Sequence, residues 1–180
     1  MLPCARHPVA VAPADAEPRW RSSDPLRFAC DLATLGPVFC VWTEPYAHPV
    51  VRTSAVVPDS PDGLVLARPG LLAHACAVTP DGPREWITVH DRSGLPRCRL
   101  YLLPDTDYLA WDGLLAHTGP AAAPEVRPRW RARRGRRLRF EVEPIGPCSL
   151  VCVRTAAPGC ALSRRTAREL ARAEGVSLVA

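Results

Sequence analysis

The segment from residue 86 to residue 115 constrains the fold most, because strand, turn and helix signals follow one another in it without a gap. Residues 86–90 alternate with the period of two that is typical of a β-strand. Asp91 and Gly94 stand at the two ends of the next four residues, where a type I turn favours them. A return strand over residues 97–103 completes a predicted β-hairpin.

The return strand divides its side chains between the two faces of a sheet. One face receives Arg97, Arg99 and Tyr101, and the other receives Cys98, Leu100 and Leu102. We therefore expect the apolar group to lie in the core and the first group to present polar side chains.

A helix is predicted directly after the hairpin. Asp105 or Thr106 supplies its N-cap, and Gly119-Pro120 ends it. Its apolar side chains at helical spacing are Tyr108, Trp111, Leu114 and Leu115.

The remaining signals predict one α+β domain, with a mostly antiparallel sheet and a few packed helices. Residues 1–24 are rich in proline and aperiodic, which predicts a flexible arm before a single domain over residues 25–180. Two further helices are predicted, from Asp24-Pro25 to Gly36 and from Ser163 to Glu174. Strands are predicted over 38–42, 50–51, 56–57, 64–67, 71–78 and 149–153, with an arginine-rich hairpin over 130–143 around Gly135.

Composition narrows the class of protein. All 23 basic residues are arginines, and the net charge of +5 favours anionic partners without specifying one. No stretch approaches the ~20 apolar residues that a membrane-spanning helix needs, and the first twenty residues hold no secretory apolar core. We therefore expect a cytoplasmic protein that does not insert into membranes, with its eight cysteines as free, mostly buried thiols.

Several short motifs occur in one order along residues 35–117. They are Leu35-Gly36-Pro37-Val38, Glu44–His48, Gly63–Ala67, Leu72–Val78, Trp86–Gly94, Arg97–Leu102 and Thr106–Leu115. This order resembles one divergent repeat of the HemS/HmuS/ChuS-type haemin-degrading and haemin-transport proteins. The resemblance implies the fold of that family, haem as the ligand, and binding, trafficking or storage of haem in a bacterial haem-uptake system.

The resemblance also implies which residues hold haem. Arg99 stands where the family has a basic strand residue that faces the haem pocket, with Arg97 and Tyr101 on the same face. A guanidinium suits this position because it binds a carboxylate, such as a haem propionate, through two parallel charge-assisted hydrogen bonds. A solvated arginine on an open sheet face is the alternative.

Haem iron also needs an axial ligand. The candidates are His74, His48 and His90, of which we favour His74 and His48, with Tyr46 behind them. For each of them, an ordinary polar role is the alternative.

One feature departs from the family. The resemblance implies a haem-ligating histidine on a helix after the linker, but no histidine follows His117. This departure favours haem binding over catalysis; an activity, if retained, would be that of a haem-degrading oxygenase.

Other partners stay open from the sequence. Eight arginines between Arg127 and Arg139, with Trp130 among them, suit a phosphate backbone. A nucleic-acid-binding or regulatory protein that uses this arginine-rich hairpin and the C-terminal helix is therefore the alternative function. A solvated hairpin or further contacts to propionates are the other interpretations of this run. Further candidate partners are the components of a haem-uptake system and a second copy of the chain, as a homodimer. The spacing of Cys148, Cys152 and Cys160 does not match a usual zinc site.

Overall fold

The computed structural model describes residues 17–43, 56–67, 69–79, 82–125 and 129–179. These residues form ten strands, joined in one mostly antiparallel sheet, and four helices. The predicted α+β class is therefore confirmed.

The strands are β1 (Arg19–Ser22), β2 (Val38–Trp42), β3 (Val56–Pro58), β4 (Leu71–Thr79), β5 (Gly82–His90), β6 (Pro96–Tyr101), β7 (Gly119–Pro120), β8 (Arg134–Ile145), β9 (Cys148–Thr155) and β10 (Leu178–Val179). The helices are α1 (Pro25–Thr34), α2 (Pro61–Ala67), α3 (Tyr108–Ala116) and α4 (Ala161–Glu174). The strand order is β3-β9-β8-β2-β6-β5-β4-β1-β7, and β10 pairs with β8. The pairs β3/β9 and β8/β10 are parallel, and the other pairs are antiparallel.

Helices cover both faces of this sheet. On the first face, α1, α2 and α3 bury side chains such as Phe28, Leu66 and Trp111 against Ile87 and Leu100. We call the opposite one the α4 face, because α4 packs on it; its buried residues include Phe39, Val41, Trp86, Tyr101, Ala167, Leu170 and Ala171. The predicted alternation along β6 is correct, but the face expected to be polar holds a second apolar cluster.

Helix ends follow the expected chemistry, though not always at the predicted residue. Asp24 caps α1 by accepting from the amide of Arg27 at 2.8 Å. The N-cap of α3 is Asp107, not Asp105 or Thr106, because the Thr106 hydroxyl instead donates to the carbonyl of Pro37 at 2.6 Å.

The last helix also begins before its predicted cap. The N-cap of α4 is Cys160, whose sulfur accepts from the amide of Ser163. Ser163 is fully buried inside the first turn, where its hydroxyl accepts from the amide of Asp105 at 3.0 Å. The last residue of α4, Glu174, is the one predicted.

Three strand and arm predictions are wrong. Residues 64–67 belong to α2, whose start is stabilised by the Ser60 hydroxyl accepting from the amide of Gly63. The hairpin around Gly135 does not form, because β8 continues through this region to pair with both β2 and β9. Within the predicted arm, Arg19–Ser22 form β1, which pairs with β4 and β7. Residues 1–16 and the predicted strand 50–51 lie outside the described residues.

The cysteines differ from their prediction as well. Of the described ones, three are buried, Cys40, Cys98 and Cys152, while Cys30, Cys76 and Cys160 are exposed and Cys148 is intermediate. Cys76 lies opposite Glu85 in the half of the β4/β5 hairpin that is nearer the turn. In the part of the chain that is described, no helix is long and apolar enough to cross a membrane.

The loop after β5 depends on one close backbone approach. The amide of Gly70 donates to the carbonyl of His90 at 2.7 Å, and a Cβ atom at Gly70 would collide with the backbone of Asp91 and Arg92. Since those atoms are main chain, a side chain at residue 70 forces the loop to move.

We expect Gly70→Ala to lower the free energy of unfolding by about 1–3 kcal/mol, the usual cost of overpacking. Gly113→Ala is the matched control, because a Cβ at Gly113 in α3 meets no atom within 4 Å and alanine is the better helix former. Urea denaturation compares the two variants. Equal stability in both would contradict the close approach.

Candidate functional site

The α4 face gathers most of the residues predicted to bind a ligand. Arg99 pairs in register with Thr88, Tyr101 pairs with Trp86, and His90 follows on the same side of β5. His74 pairs with Ile87, whose side chain points to the opposite face. The structure therefore separates His74 from Arg99 by the thickness of the sheet.

A buried carboxylate lies at the centre of this face. Glu174, the last residue of α4, has a side chain only 3% exposed. Arg99 Nη1 donates to its Oε1 at 2.8 Å, the Tyr101 hydroxyl donates to the same oxygen, and Trp130 Nε1 donates to Oε2 at 2.5 Å. Three donors thus converge on one carboxylate, and no local sequence pattern identifies Glu174 as their partner.

Aromatic rings frame this carboxylate site. The guanidinium of Arg99 lies 4.3 Å from the ring centroid of Trp130 and 5.9 Å from that of Trp86, within cation–π range. Its Nε donates to the Thr88 hydroxyl at 3.2 Å. The rings and the Thr88 hydroxyl fix the guanidinium in place, so its donors are oriented toward the Glu174 carboxylate.

The phenol of Tyr101 acts here as a donor. Burial raises the pKa of Tyr101, and the negative charge of Glu174 raises it further, against the smaller opposing effect of Arg99. Tyr101 therefore stays protonated, and its hydroxyl donates a hydrogen bond to the Glu174 carboxylate.

His90 has the chemistry of a nitrogen ligand. It is 6% exposed, and Trp20 packs edge-on against it with ring centroids 4.9 Å apart. Its Nδ1 lies 3.0 Å from the carbonyl of Gly94, which can only accept, so Nδ1 carries the proton. Burial lowers the pKa of His90, so the imidazole is neutral near pH 7 and its lone pair is on Nε2.

His74 is also oriented by a neighbour, but on the other face. Its Nε2 lies 2.8 Å from the Glu85 carboxylate, which also accepts from Trp111 Nε1 at 2.7 Å. Its Nδ1 is buried with no hydrogen-bond partner among the described residues. A carboxylate on one ring nitrogen is typical of metal-bound histidines, so the donor chemistry fits a ligand although the position does not serve the α4 face.

Arg97 holds the turn that positions His90. It donates to the Asp91 carboxylate from Nε at 2.8 Å, and its Nη2 lies 2.7 Å from the same oxygen. Burial of Asp91 opposes its ionisation, but hydrogen bonds from Ser93 and Arg97 outweigh this and lower the pKa of Asp91. The remaining candidates, His48 and Tyr46, lie outside the described residues.

The described arginines of the run 127–139 do not form one surface. Arg137 is buried under α4, Arg136 donates to Thr155, and Arg139 pairs with Glu141 at 2.8 Å. Trp130, which lies among these arginines in the sequence, packs against Arg99 and donates to Glu174.

Comparison with known proteins gives partial structural similarities only. No family model and no curated protein matches the sequence. The heme degrading enzyme ChuS of Escherichia coli O157:H7 is similar over 64% of this chain and 39% of its own, with 19% identity and a TM-score of 0.45. A second structure, of ChuS described as an E. coli heme oxygenase, is similar over 63% of this chain and 40% of its own, with 18% identity and a TM-score of 0.42. The chain thus spans about two fifths of these structures.

The carboxylate site makes a prediction about stability. Glu174→Gln keeps the side chain's shape but removes the charge that Arg99 neutralises, which leaves a buried cation without its partner. We expect the free energy of unfolding to fall by about 3 kcal/mol, as when one member of a buried ion pair is removed. Urea denaturation measures it, with exposed Glu125→Gln as the control. A loss no larger than the control's would show that the ion pair contributes nothing.

His90 makes a prediction about pH. Its folded pKa lies below the ordinary 6.5, so the unfolded chain takes up a proton that the folded chain refuses as the pH falls below about 6.5. The free energy of unfolding should therefore decrease in that range, with a slope of at most about 1.4 kcal/mol per pH unit from this group.

Denaturant titrations from about pH 7.5 to about pH 5.5 check this slope. His90→Gln should make the free energy of unfolding less dependent on pH. His117→Gln, at the exposed end of α3, should reduce this dependence less than His90→Gln does. An identical slope in wild type and His90→Gln would rule out His90 as its source.

Proposed function

We propose that this domain binds haem on the α4 face, as a haem-binding, trafficking or storage protein. The observation that carries the proposal is the convergence of Arg99, Tyr101 and Trp130 on one buried carboxylate. Haem is a flat aromatic molecule with two carboxylates, so a face with oriented carboxylate donors and tryptophan rings matches its chemistry.

Both the propionates and the iron of haem have suitable side chains on this face. A propionate would take the position of the Glu174 carboxylate, with Arg99 as its main partner. His90 would supply a neutral imidazole to the iron, since its Nδ1 is already bonded to the Gly94 carbonyl. Iron at this position would supply haem's redox chemistry; the described residues of the α4 face contribute binding and orientation.

Binding in this way requires an exchange of carboxylates. Glu174 occupies the donors and α4 covers the face, so the end of α4 has to move before a propionate reaches Arg99. Haem affinity then depends on the difference in free energy between two states, one with the Glu174 carboxylate on these donors and one with a propionate on them. In a site without such competition, loss of the Glu174 charge would not be expected to strengthen haem binding.

A haemin titration followed by the Soret absorbance band tests the proposal. Wild type should shift the band at stoichiometric haemin. Arg99→Gln should weaken binding by about tenfold or more, because a charge-assisted hydrogen bond is lost. Glu174→Gln should strengthen binding, because the competing carboxylate is gone.

The ligand assignment has its own control. His90→Ala should change the Soret position, whereas exposed His117→Ala should not. An unchanged band after separate replacement of His90, His74 and His48 would refute ligation by histidine. A flat haemin titration together with salt-sensitive DNA binding would overturn the proposal in favour of a nucleic-acid-binding protein.

A further inference from the structure

A cavity of about 340 Å³ lies at the other end of α4, away from Glu174. It is lined by Arg137, Thr155, Ala156, Pro158, Arg164, Arg168 and Leu178. The volume is near the lower end of the range for small-molecule pockets, which suits a compact ligand. No acidic side chain is among these lining residues.

Arg137 is the unusual member of this lining. It is 9% exposed, and its Nε and Nη2 atoms are buried without a hydrogen-bond partner in the described part of the chain. The Asp105 carboxylate lies 3.9 Å from Nη2, an ion-pair distance that is too long for a hydrogen bond. Buried guanidinium donors without acceptors are costly, so an acceptor from outside the chain would be stabilised there.

Asp105 cannot easily move closer to satisfy Arg137. Its carboxylate accepts from the amide of Cys160 at 2.9 Å, which holds it at the start of α4. Hydrogen bonds from Cys160, the largest effect, lower the pKa of Asp105 against a smaller effect of burial, so the group is ionised and already bonded. Gly159 lies directly above, since a Cβ atom there would collide with both Arg137 Nη2 and Asp105 Oδ2.

Arg164 and Arg168 add positive charge to the same cavity. They are one helical turn apart on α4, and Arg164 Nη1 donates to the carbonyl of Gly159 at 2.6 Å. Ala156, Pro158 and Leu178 supply apolar wall. The wall of the cavity is therefore mostly apolar, and three arginine side chains line it.

We propose that this cavity binds a compact organic anion, with a carboxylate or phosphate group against Arg137 and an apolar body against Ala156, Pro158 and Leu178. The cavity lies away from the Arg99–Glu174 pair, and the proposal does not depend on haem binding. Arg164 and Arg168 act as the cationic entrance.

Calorimetric titration with four probes tests the proposal on the full chain. Phenyl phosphate and benzoate carry both the anionic and the apolar part, inorganic phosphate lacks the apolar part, and benzyl alcohol lacks the charge. We expect one of the two organic anions to bind most tightly, inorganic phosphate more weakly, and benzyl alcohol not at all. Whichever of benzoate and phenyl phosphate binds better identifies the preferred anionic group.

Arg137→Gln should weaken binding of that anion by about tenfold or more, and Arg168→Gln should weaken it severalfold. Arg165→Gln is the matched control, because Arg165 lies on the same helix, is exposed and does not line the cavity. Should Arg137→Gln fail to fold, the comparison of Arg168→Gln with Arg165→Gln still decides.

Three outcomes would overturn the proposal. The first is a wild-type protein that binds none of the probes at millimolar concentrations. The second is benzyl alcohol binding as tightly as benzoate, which would show an apolar cavity without anion recognition. The third is a loss of affinity in Arg165→Gln as large as that in Arg168→Gln, which would reduce the effect to overall surface charge.

Discussion

The buried carboxylate of Glu174 is the interaction on which the arrangement of the α4 face depends. A carboxylate that is only 3% exposed is tolerable only when its charge is paired and its oxygens are hydrogen-bonded. Arg99 supplies the charge, and Tyr101 and Trp130 complete the donors. Because Glu174 ends α4, this pairing fixes where the helix lies on the sheet, with Arg84 and Glu169 forming a second ion pair at 2.9 Å.

A face built around a carboxylate is already prepared for another one. The cost of removing Arg99 from water and of orienting it between Trp86 and Trp130 is met in the folded chain. A buried ion pair often contributes little net free energy, since desolvation offsets attraction. Exchange of Glu174 for a ligand carboxylate therefore loses one set of contacts and regains a similar set, which makes the apolar contacts of α4 the main resistance to opening.

Local sequence signals predicted the sheet and most helices, but not what the elements bring together. The hairpin follows from the Asp91–Gly94 turn, which forms with Gly94 N donating to Asp91 O at 3.0 Å. The strand prediction for the apolar run 64–67 is wrong, since four apolar residues do not distinguish strand from helix. Ser60 and Pro61 before the run are the available signal for a helix start. The pairing of Arg99 with Glu174, 75 residues apart, has no local signature.

Two charges on α4, one near each end, run against its helix dipole, whereas Arg172 in the last turn complements it. Arg164 lies in the first turn, where the positive end of the dipole disfavours a cation, and Glu174 lies in the last turn, where the negative end disfavours an anion. Glu174 is compensated by Arg99. At the start of the helix, the dipole, Arg164 and the Arg137 donors that lack a hydrogen-bond partner among the described residues all have the same sign, and the Asp105 carboxylate opposes them. An anion bound there would relieve all three, whereas an anion near Glu174 must first displace it.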